Sequence, residues 1–296
     1  MASGTQPSRR SPRRPASETT LEQNGVPKKK QKTDKSSSVK ISTDGEAKSE
    51  EVSVGGIYDT VVGQSIQECT VDAVLFDMDG TLVDSTPAVE KTYASFCKAH
   101  GIELTRHPHG IRTIDNMKRW FPDASEDEAN AHAVQFEADI VSNAKALESE
   151  GKTGLIVLPG VRRVLAEITS SQKAEEHYAI CTSATLVYAS NALKTAAITP
   201  PEHLLTANDC THGKPHPEPY LNGAKMLTKN VTHCLVVEDA PSGIKSGLAA
   251  GATVLAVCTS HKKAELEGLG AHYLVENLES VRFDWIDSKQ IRMRIV

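Results

Sequence analysis

The chain has 296 residues, of which 39% are apolar, and this length allows one well-built domain and a small second one. The net charge of −5 and the 4% of aromatic residues do not suggest a dedicated nucleic-acid binder or a base-stacking surface. No apolar stretch approaches the ~20 residues that a membrane-spanning helix needs, so we expect no membrane partner.

Residues 1–68 are rich in Ser, Lys, Arg, Pro and Gln and poor in large apolar residues. Such a segment buries too little surface to offset the entropy of ordering, which predicts a disordered tail. The tail carries two basic clusters, RRSPRR at 9–14 and KKKQK at 28–32. They are either a nuclear-import signal that binds import factors, a polyanion-binding arm, or simply a solvated basic tail.

The six cysteines form no CxxC pair, and three of them lie within apolar runs. This pattern is typical of reduced, packed thiols rather than a disulfide frame. We therefore expect a cytoplasmic protein, with nuclear import through the tail as a further possibility.

From residue 71 onward, short apolar runs alternate with helical patterns. The predicted strands cover 71–76, 177–182, 232–237, 253–257 and, more weakly, 271–275. The predicted helices cover 161–170, 186–197, 218–227 and 242–250, and a terminal hairpin is predicted from 280–285 and 290–295. Nearly continuous apolar strands between helices predict an α/β fold with a parallel sheet covered on both faces.

The stretch 86–158 interrupts this alternation. It holds three or four helical segments, including 88–99 and 126–147, and no convincing strand. An all-helical insertion between the first and second strands predicts a separate lid over the sheet.

The run DMDGTLVDS at 77–85 follows the first predicted strand. Two carboxylates that leave a buried strand together repel each other and are costly to desolvate, and a divalent cation would resolve that conflict. Asp77 could then act as a nucleophile, and Asp79 as a general acid and base toward the leaving group. The alternative is an acidic turn without function.

The run CTSAT at 181–185 follows the second predicted strand. A Thr182 or Ser183 hydroxyl and the backbone amide of Ala184 would suit a phosphate oxygen, because helix N-termini attract anions. Ser and Thr are also ordinary helix N-caps, so this run alone does not indicate function.

Two further motifs directly precede the third and fourth predicted helices, at 218–227 and 242–250. Lys214 precedes a helix that begins with proline, where its charge could neutralise both an aspartate and a phosphoryl group. Glu238 and Asp239 end an apolar strand, and such hard oxygen ligands suit Mg²⁺.

The four motifs, in this order, resemble the signatures of the haloacid-dehalogenase-like (HAD-like) hydrolases. Asp79 resembles the phosphotransfer branch, because the dehalogenases lack that acid. The resemblance implies a Rossmann-like parallel-sheet core over 69–85 and 159–296, with a small helical cap domain over 86–158 inserted after the first strand.

The same resemblance implies the roles of the site residues. Ser183 would be the phosphate-binding hydroxyl, with Thr182 as the alternative, and Lys214 would steady a phospho-aspartate. Mg²⁺ would be held by Asp77, Asp79 through its backbone carbonyl, and the pair Glu238 and Asp239.

Three stretches, HGIRT at 109–113, TAND at 206–209 and 213–221, resemble the glycerol-phosphate and 2-deoxyglucose-6-phosphate phosphatases of fungi. This implies a magnesium-dependent phosphatase of a small polyol or sugar phosphate that works through an aspartyl-phosphate. His109 and Arg112 would lie over the site, where the arginine could bind hydroxyls or a second anion. The alternative is that these residues form a loop before a helix and do not contact the substrate.

Three other interpretations stay open. A phosphosugar mutase would use the same motifs, and a pyrophosphatase or nucleotidase would differ only in the cap pocket. A non-catalytic binding or regulatory protein would be expected to lack catalytic acids, and none is missing from these motifs. We expect a monomer whose partner is a small phosphorylated metabolite.

Overall fold

The computed structural model describes residues 67–103 and 110–296. The predicted tail over 1–68, with its basic clusters, lies outside the described residues except for Gln67 and Glu68, which begin a strand. The predicted substrate contact of His109 also lies outside the described residues. The strands of the described part are β1 (Gln67–Val71), β2 (Ala73–Phe76), β3 (Val83–Asp84), β4 (Ile156–Val157), β5 (Tyr178–Cys181), β6 (Leu204–Leu205), β7 (Cys234–Glu238), β8 (Thr253–Val257), β9 (Tyr273–Val275), β10 (Val281–Trp285) and β11 (Ile291–Ile295).

The helices are α1 (Thr86–His100), α2 (Thr113–Trp120), α3 (Glu126–Ser149), α4 (Val161–Ile168), α5 (Leu186–Thr195), α6 (Glu218–Met226), α7 (Pro241–Ala250) and α8 (Lys263–Leu266).

Six strands form one parallel sheet in the order β6-β5-β2-β7-β8-β9. Every residue of β2, β5 and β7 is buried, because helices cover both faces of the sheet. The α/β prediction with a parallel core is therefore confirmed. The carboxyl ends of these three central strands meet at one edge, which is where such sheets bind ligands.

The strand predicted over 71–76 is in fact two strands. The strand is interrupted at Asp72. After this residue β2 joins the parallel sheet, whereas β1, before it, pairs antiparallel with β11. The sequence QECTV of β1 has only one buried residue, so its apolar signal is weak. The strand β6 was also missed, because two residues are too short to show a pattern.

The predicted terminal hairpin is confirmed. The strands β10 and β11 pair antiparallel, and β1 completes a three-stranded sheet in the order β1-β11-β10. The residues of this hairpin alternate between the core and the surface, with Val281, Phe283, Ile291 and Met293 buried.

Between β3 and β4, helices α1, α2 and α3 pack on one another. Tyr93 and Phe96 of α1 lie against Phe136 of α3, with ring centroids 4.8 and 5.3 Å apart. The helices predicted over 88–99 and 126–147 are confirmed by α1 and α3.

The prediction that 86–158 holds no strand is wrong at its end, where β4 pairs antiparallel with β3. This short pair closes the base of the insertion. The exact cap boundary over 86–158 stays a prediction. None of the described helices is both long and apolar enough for a bilayer crossing.

Candidate active site

The predicted motifs meet at the carboxyl edge of the central strands. Asp77 and Asp79 follow β2, residues 182–184 follow β5, and Glu238 and Asp239 lie at the end of β7. Each loop leaves a fully buried strand, so the rigid sheet fixes where its side chains begin. Lys214 reaches the same place from the loop before α6 and is 2% exposed.

Lys214 joins two of the acids. Its Nζ donates to Asp77 Oδ1 at 2.5 Å and to Glu238 Oε1 at 2.7 Å. Burial opposes the positive charge, but the two carboxylates raise the pKa of Lys214 above its ordinary value. The ammonium therefore stays charged and lies directly behind the predicted nucleophile.

Glu238 is held on both of its oxygens. Oε1 also accepts a hydrogen bond from the Tyr220 hydroxyl at 2.8 Å, and Oε2 accepts the backbone N–H groups of Asp239 and Ala240 at 2.9 and 3.0 Å. A Cβ atom on Gly243 would lie 1.6 Å from Oε1, so α7 can approach this carboxylate only with glycine there. Glu238 thus has a fixed position beneath Lys214.

Asp239 is fixed by two hydroxyls and by the backbone of the first motif. Thr81 donates to its Oδ1 at 3.0 Å, and Ser260 donates to its Oδ2. Gly80 has φ 83°, and a Cβ atom there would lie 2.2 Å from Asp239 Oδ2. Glycine therefore serves both the left-handed turn and the close approach to the acid.

The three acids fit a divalent cation. Carboxylate oxygens of Asp77, Glu238 and Asp239 lie within 4.8 Å of one another, and all three residues are buried. Burial, and then the charge of Glu238, raises the pKa of Asp239 to about 7. Burial likewise raises the pKa of Asp77, against the opposing effect of Lys214.

Three buried carboxylates beside one ammonium leave an excess of negative charge. A hard cation would relieve it, which is the property expected of a Mg²⁺ site. The predicted contribution of the Asp79 carbonyl stays a prediction.

Asp79 differs from Asp77 in its surroundings. Its Oδ1 accepts a hydrogen bond from the Tyr188 hydroxyl at 2.9 Å. Burial raises the pKa of Asp79, and hydrogen bonds from Ser85 and Tyr188 partly oppose this. A raised pKa favours the protonated form of this carboxyl group, which is the form that a general acid needs.

A pocket of about 640 Å³, part of it open to solvent, lies above Asp77 and Asp79. One wall comes from the sheet edge, and the other comes from α1, α3 and the start of α2. The side chains and glycine of that second wall are Val89, Tyr93, Gly110, Ile111, Thr113, Phe136, Glu137 and Ile140.

The predicted phosphate-binding residues line the same pocket. The Ser183 hydroxyl donates to the Gly110 carbonyl at 3.0 Å, and Thr182 Oγ1 accepts the Ala184 backbone N–H at 3.1 Å. The choice between Ser183 and Thr182 as the phosphate ligand stays a prediction. Ser183 also forms a contact between the sheet edge and the loop before α2.

The structure does not bring Arg112 into the pocket. Its guanidinium donates to both oxygens of Asp115 at 2.8 and 2.9 Å, and to the Cys210 carbonyl at 2.8 Å. Among the described residues, those that line the pocket do not include Arg112. The predicted substrate contact is therefore replaced here by a bridge between α2 and the loop that carries Lys214.

Two pocket residues were missed by the sequence analysis. Glu137 is 3% exposed, accepts from the Thr113 hydroxyl at 2.9 Å and also accepts from the Thr185 hydroxyl. The sequence feature that could have identified Glu137 is its position as an acidic residue on the buried face of α3, between Ala133 and Ile140. Tyr188 lies in the first turn of α5, and a tyrosine there gives no signal of its contact with Asp79.

A family model described as a haloacid dehalogenase-like hydrolase matches residues 71–251. Hexitol phosphatase A from Escherichia coli strain K12 is 39% identical over 186 residues, which cover 62% of this chain and 81% of that protein. Two proteins of Saccharomyces cerevisiae each cover 72% of this chain. They are 2-deoxyglucose-6-phosphate phosphatase 2, 32% identical with 90% of its length covered, and glycerol-1-phosphate phosphohydrolase 2, 31% identical with 84% covered. These similarities confirm the predicted resemblance.

Proposed function

The chain belongs to the haloacid dehalogenase-like hydrolases and is a phosphatase, and we propose that its substrate is a small polyol or sugar phosphate. The observation that carries this proposal is the pocket lined by Asp77 and Asp79, with Lys214 Nζ donating a hydrogen bond to Asp77 Oδ1 at 2.5 Å. A pocket of about 640 Å³ accommodates a metabolite of one or two dozen atoms.

In the proposed reaction, Asp77 attacks the phosphorus in line with the leaving oxygen. The bond from phosphorus to that oxygen breaks, and an aspartyl-phosphate forms on Asp77. Lys214 stays charged throughout, so it offsets the negative charge that gathers near Asp77. Water then attacks the phosphorus, the bond between phosphorus and the Asp77 oxygen breaks, and inorganic phosphate and the free Asp77 carboxylate are released.

Asp79 moves the protons in both steps. It gives a proton to the leaving oxygen in the first step and takes one from the attacking water in the second. The Tyr188 hydroxyl keeps this carboxyl group aimed into the pocket through its bond to Oδ1. The raised pKa of Asp79 favours the protonated form that the first step needs.

Asp77, Glu238 and Asp239 would hold Mg²⁺, with the Asp79 backbone carbonyl as a further ligand. When bound, this ion would neutralise charge on the phosphoryl oxygens. Activity is expected to disappear in EDTA and return with added Mg²⁺.

The substrate class rests on the lining of the pocket and on the relatives. The described cap wall combines apolar side chains with the Glu137 carboxylate and the Thr113 hydroxyl, which can hydrogen-bond to the hydroxyls of a polyol. The named substrates of the relatives are hexitol, glycerol and deoxyglucose phosphates. Glycerol phosphate and 2-deoxyglucose 6-phosphate are therefore the first candidates.

The test is phosphate release by the purified full chain with Mg²⁺. The panel holds glycerol 1- and 3-phosphate, hexitol phosphates, 2-deoxyglucose 6-phosphate, nucleotides and pyrophosphate, with Asp77→Asn as the control for contaminating phosphatase. A preference for the polyol or deoxysugar phosphates is expected. Preference for nucleotides or pyrophosphate would overturn the substrate class. Conversion of β-glucose 1-phosphate into its 6-isomer without phosphate release would identify a mutase instead.

A further inference from the structure

The loop that delivers Lys214 to the site carries a second group of polar side chains on its outer surface. His212 and His216 flank the lysine, and Glu218 begins α6. The lysine side chain is fully buried, whereas the two imidazoles are 62% and 49% exposed. The proposed phosphatase chemistry uses none of these three outer side chains.

The three side chains converge on one point. His212 Nδ1 lies 2.8 Å and His216 Nδ1 lies 3.9 Å from Glu218 Oε2, and the three possible ligand atoms lie within 4.8 Å of one another. The two imidazole rings are tilted by 30° with centroids 4.5 Å apart. Their aromatic packing and their approach to a shared carboxylate oxygen hold both rings on the same side of the loop.

The backbone fixes this arrangement before any ion binds. The backbone N–H groups of Thr211 and His212 donate to the Glu218 carboxylate at 2.7 and 2.9 Å, which, with the His212 ring, lowers the pKa of Glu218 to about 2. The Ser246 hydroxyl donates to the His216 carbonyl at 2.6 Å. Two prolines, at 215 and 217, fix φ between the ligands. Because the backbone of this loop is already ordered, ion binding would lose little backbone conformational entropy.

We infer that His212, His216 and Glu218 form a surface site for Zn²⁺. Zinc takes imidazole nitrogen and carboxylate oxygen at about 2.0–2.2 Å, so tetrahedral ligands lie about 3.3 Å apart. The observed separations of 2.8 and 3.9 Å bracket that value, and small side-chain rotations bring all three atoms into place. Water supplies the fourth ligand at this exposed position. Each ligating imidazole would bind through Nδ1 and carry its proton on Nε2. At His216, zinc would replace the hydrogen bond that Nδ1 accepts from the Glu218 backbone N–H at 3.2 Å.

This site is chemically distinct from the catalytic one. Its two imidazole ligands favour zinc over magnesium, whereas the buried site offers only oxygen. Because residues 212–218 enclose Lys214, zinc would brace the loop that holds the catalytic ammonium from outside.

The test is a calorimetric Zn²⁺ titration of the full chain in millimolar Mg²⁺, which keeps the buried carboxylates occupied. One Zn²⁺ per chain is expected in the wild type, and His212→Ala and His216→Ala should each weaken it about tenfold or more. The matched control is His233→Ala, because His233 is also 62% exposed and pairs with an acid, Asp72. It should bind as the wild type does. Circular dichroism checks that all variants are folded.

Cobalt provides a second measurement that does not depend on enzyme activity. Co²⁺ bound to the wild type should give the visible absorption of a four-coordinate ion, and this signal should be absent from His212→Ala and His216→Ala. The proposal is overturned if the wild type binds no Zn²⁺ at tens of micromolar, if both variants bind as tightly as the wild type, or if His233→Ala loses binding equally.

Discussion

Tyr188→Phe tests whether Asp79 is the acid and base of the reaction. The change removes only the hydroxyl that donates to Asp79 Oδ1 at 2.9 Å and keeps the ring, which is 3% exposed. The packing of α5 should therefore survive. Since the lost hydrogen bond stabilises the charged carboxylate, the pKa of Asp79 should rise further above its ordinary value.

The size of this effect follows from the type of hydrogen bond. A bond to a charged acceptor contributes about 1.5–3 kcal/mol, and one pKa unit corresponds to about 1.36 kcal/mol. The pKa of Asp79 should therefore rise by about one to two units. Phosphate transfer to Asp77 needs Asp79 protonated, so the alkaline limb of kcat/KM should move to higher pH by that amount.

The assay is the pH profile of kcat/KM for phosphate release, measured for the wild type and Tyr188→Phe. Tyr178→Phe is the matched control, because Tyr178 is a buried tyrosine of β5 that does not line the pocket. Its profile should match the wild type. An alkaline limb that stays in place in Tyr188→Phe, at unchanged kcat, would refute the assignment of Asp79.

Three further predictions concern buried titratable side chains. Asp77→Asn should lower kcat by about 10⁴-fold or more with the fold intact, since it removes the nucleophile; near-normal turnover would exclude that role. Lys214→Met should lower the free energy of unfolding by about 3–5 kcal/mol in urea titrations without Mg²⁺, because Asp77 and Glu238 lose their shared cation, and Mg²⁺ should restore part of it. A loss below 1 kcal/mol would contradict that account. His177 is buried and its pKa is lowered, mainly by burial, so its folded form resists protonation. The stability it supports is complete above the ordinary His pKa of about 6.5 and is lost as pH falls below it. Denaturation of His177→Asn between pH 7 and 5 should therefore show a smaller loss than the wild type, and an equal loss would be the contrary result.

The sequence was most informative where strands are buried on both faces. The runs that became β2, β5, β7 and β8 are almost entirely apolar, so their strands and the loops after them could be located. That placed the acids at one sheet edge, whereas Lys214 follows the missed strand β6 and was assigned from its motif alone. The strands that were missed, β1, β3, β4 and β6, are either polar or only two residues long, so they leave no periodic signal.

The cap side of the pocket could not be predicted in the same way. Arg112 was expected over the substrate from its motif. Its guanidinium instead donates to both carboxylate oxygens of Asp115, three residues later, and to the Cys210 carbonyl in the loop before α6. Glu137 was overlooked because its partners, Thr113 and Thr185, lie in different elements. Which side chains meet across two packed surfaces depends on the docking of helices, and helical periodicity does not encode it.

The pairing of β1 with β11 has a consequence for how the molecule is made. The last five-residue strand lies in the middle of its sheet, between β1 and β10. During synthesis, β1 must wait until residues 291–295 have left the ribosome before it can pair. Until then it is an open edge, with Cys69 and Val71 uncovered by Met293 and Ile291. Closure of this sheet is a long-range, slow event that comes after the parallel core can form. Loss of β11 would therefore leave β1 and β10 without their shared partner and prone to aggregation through their open edges.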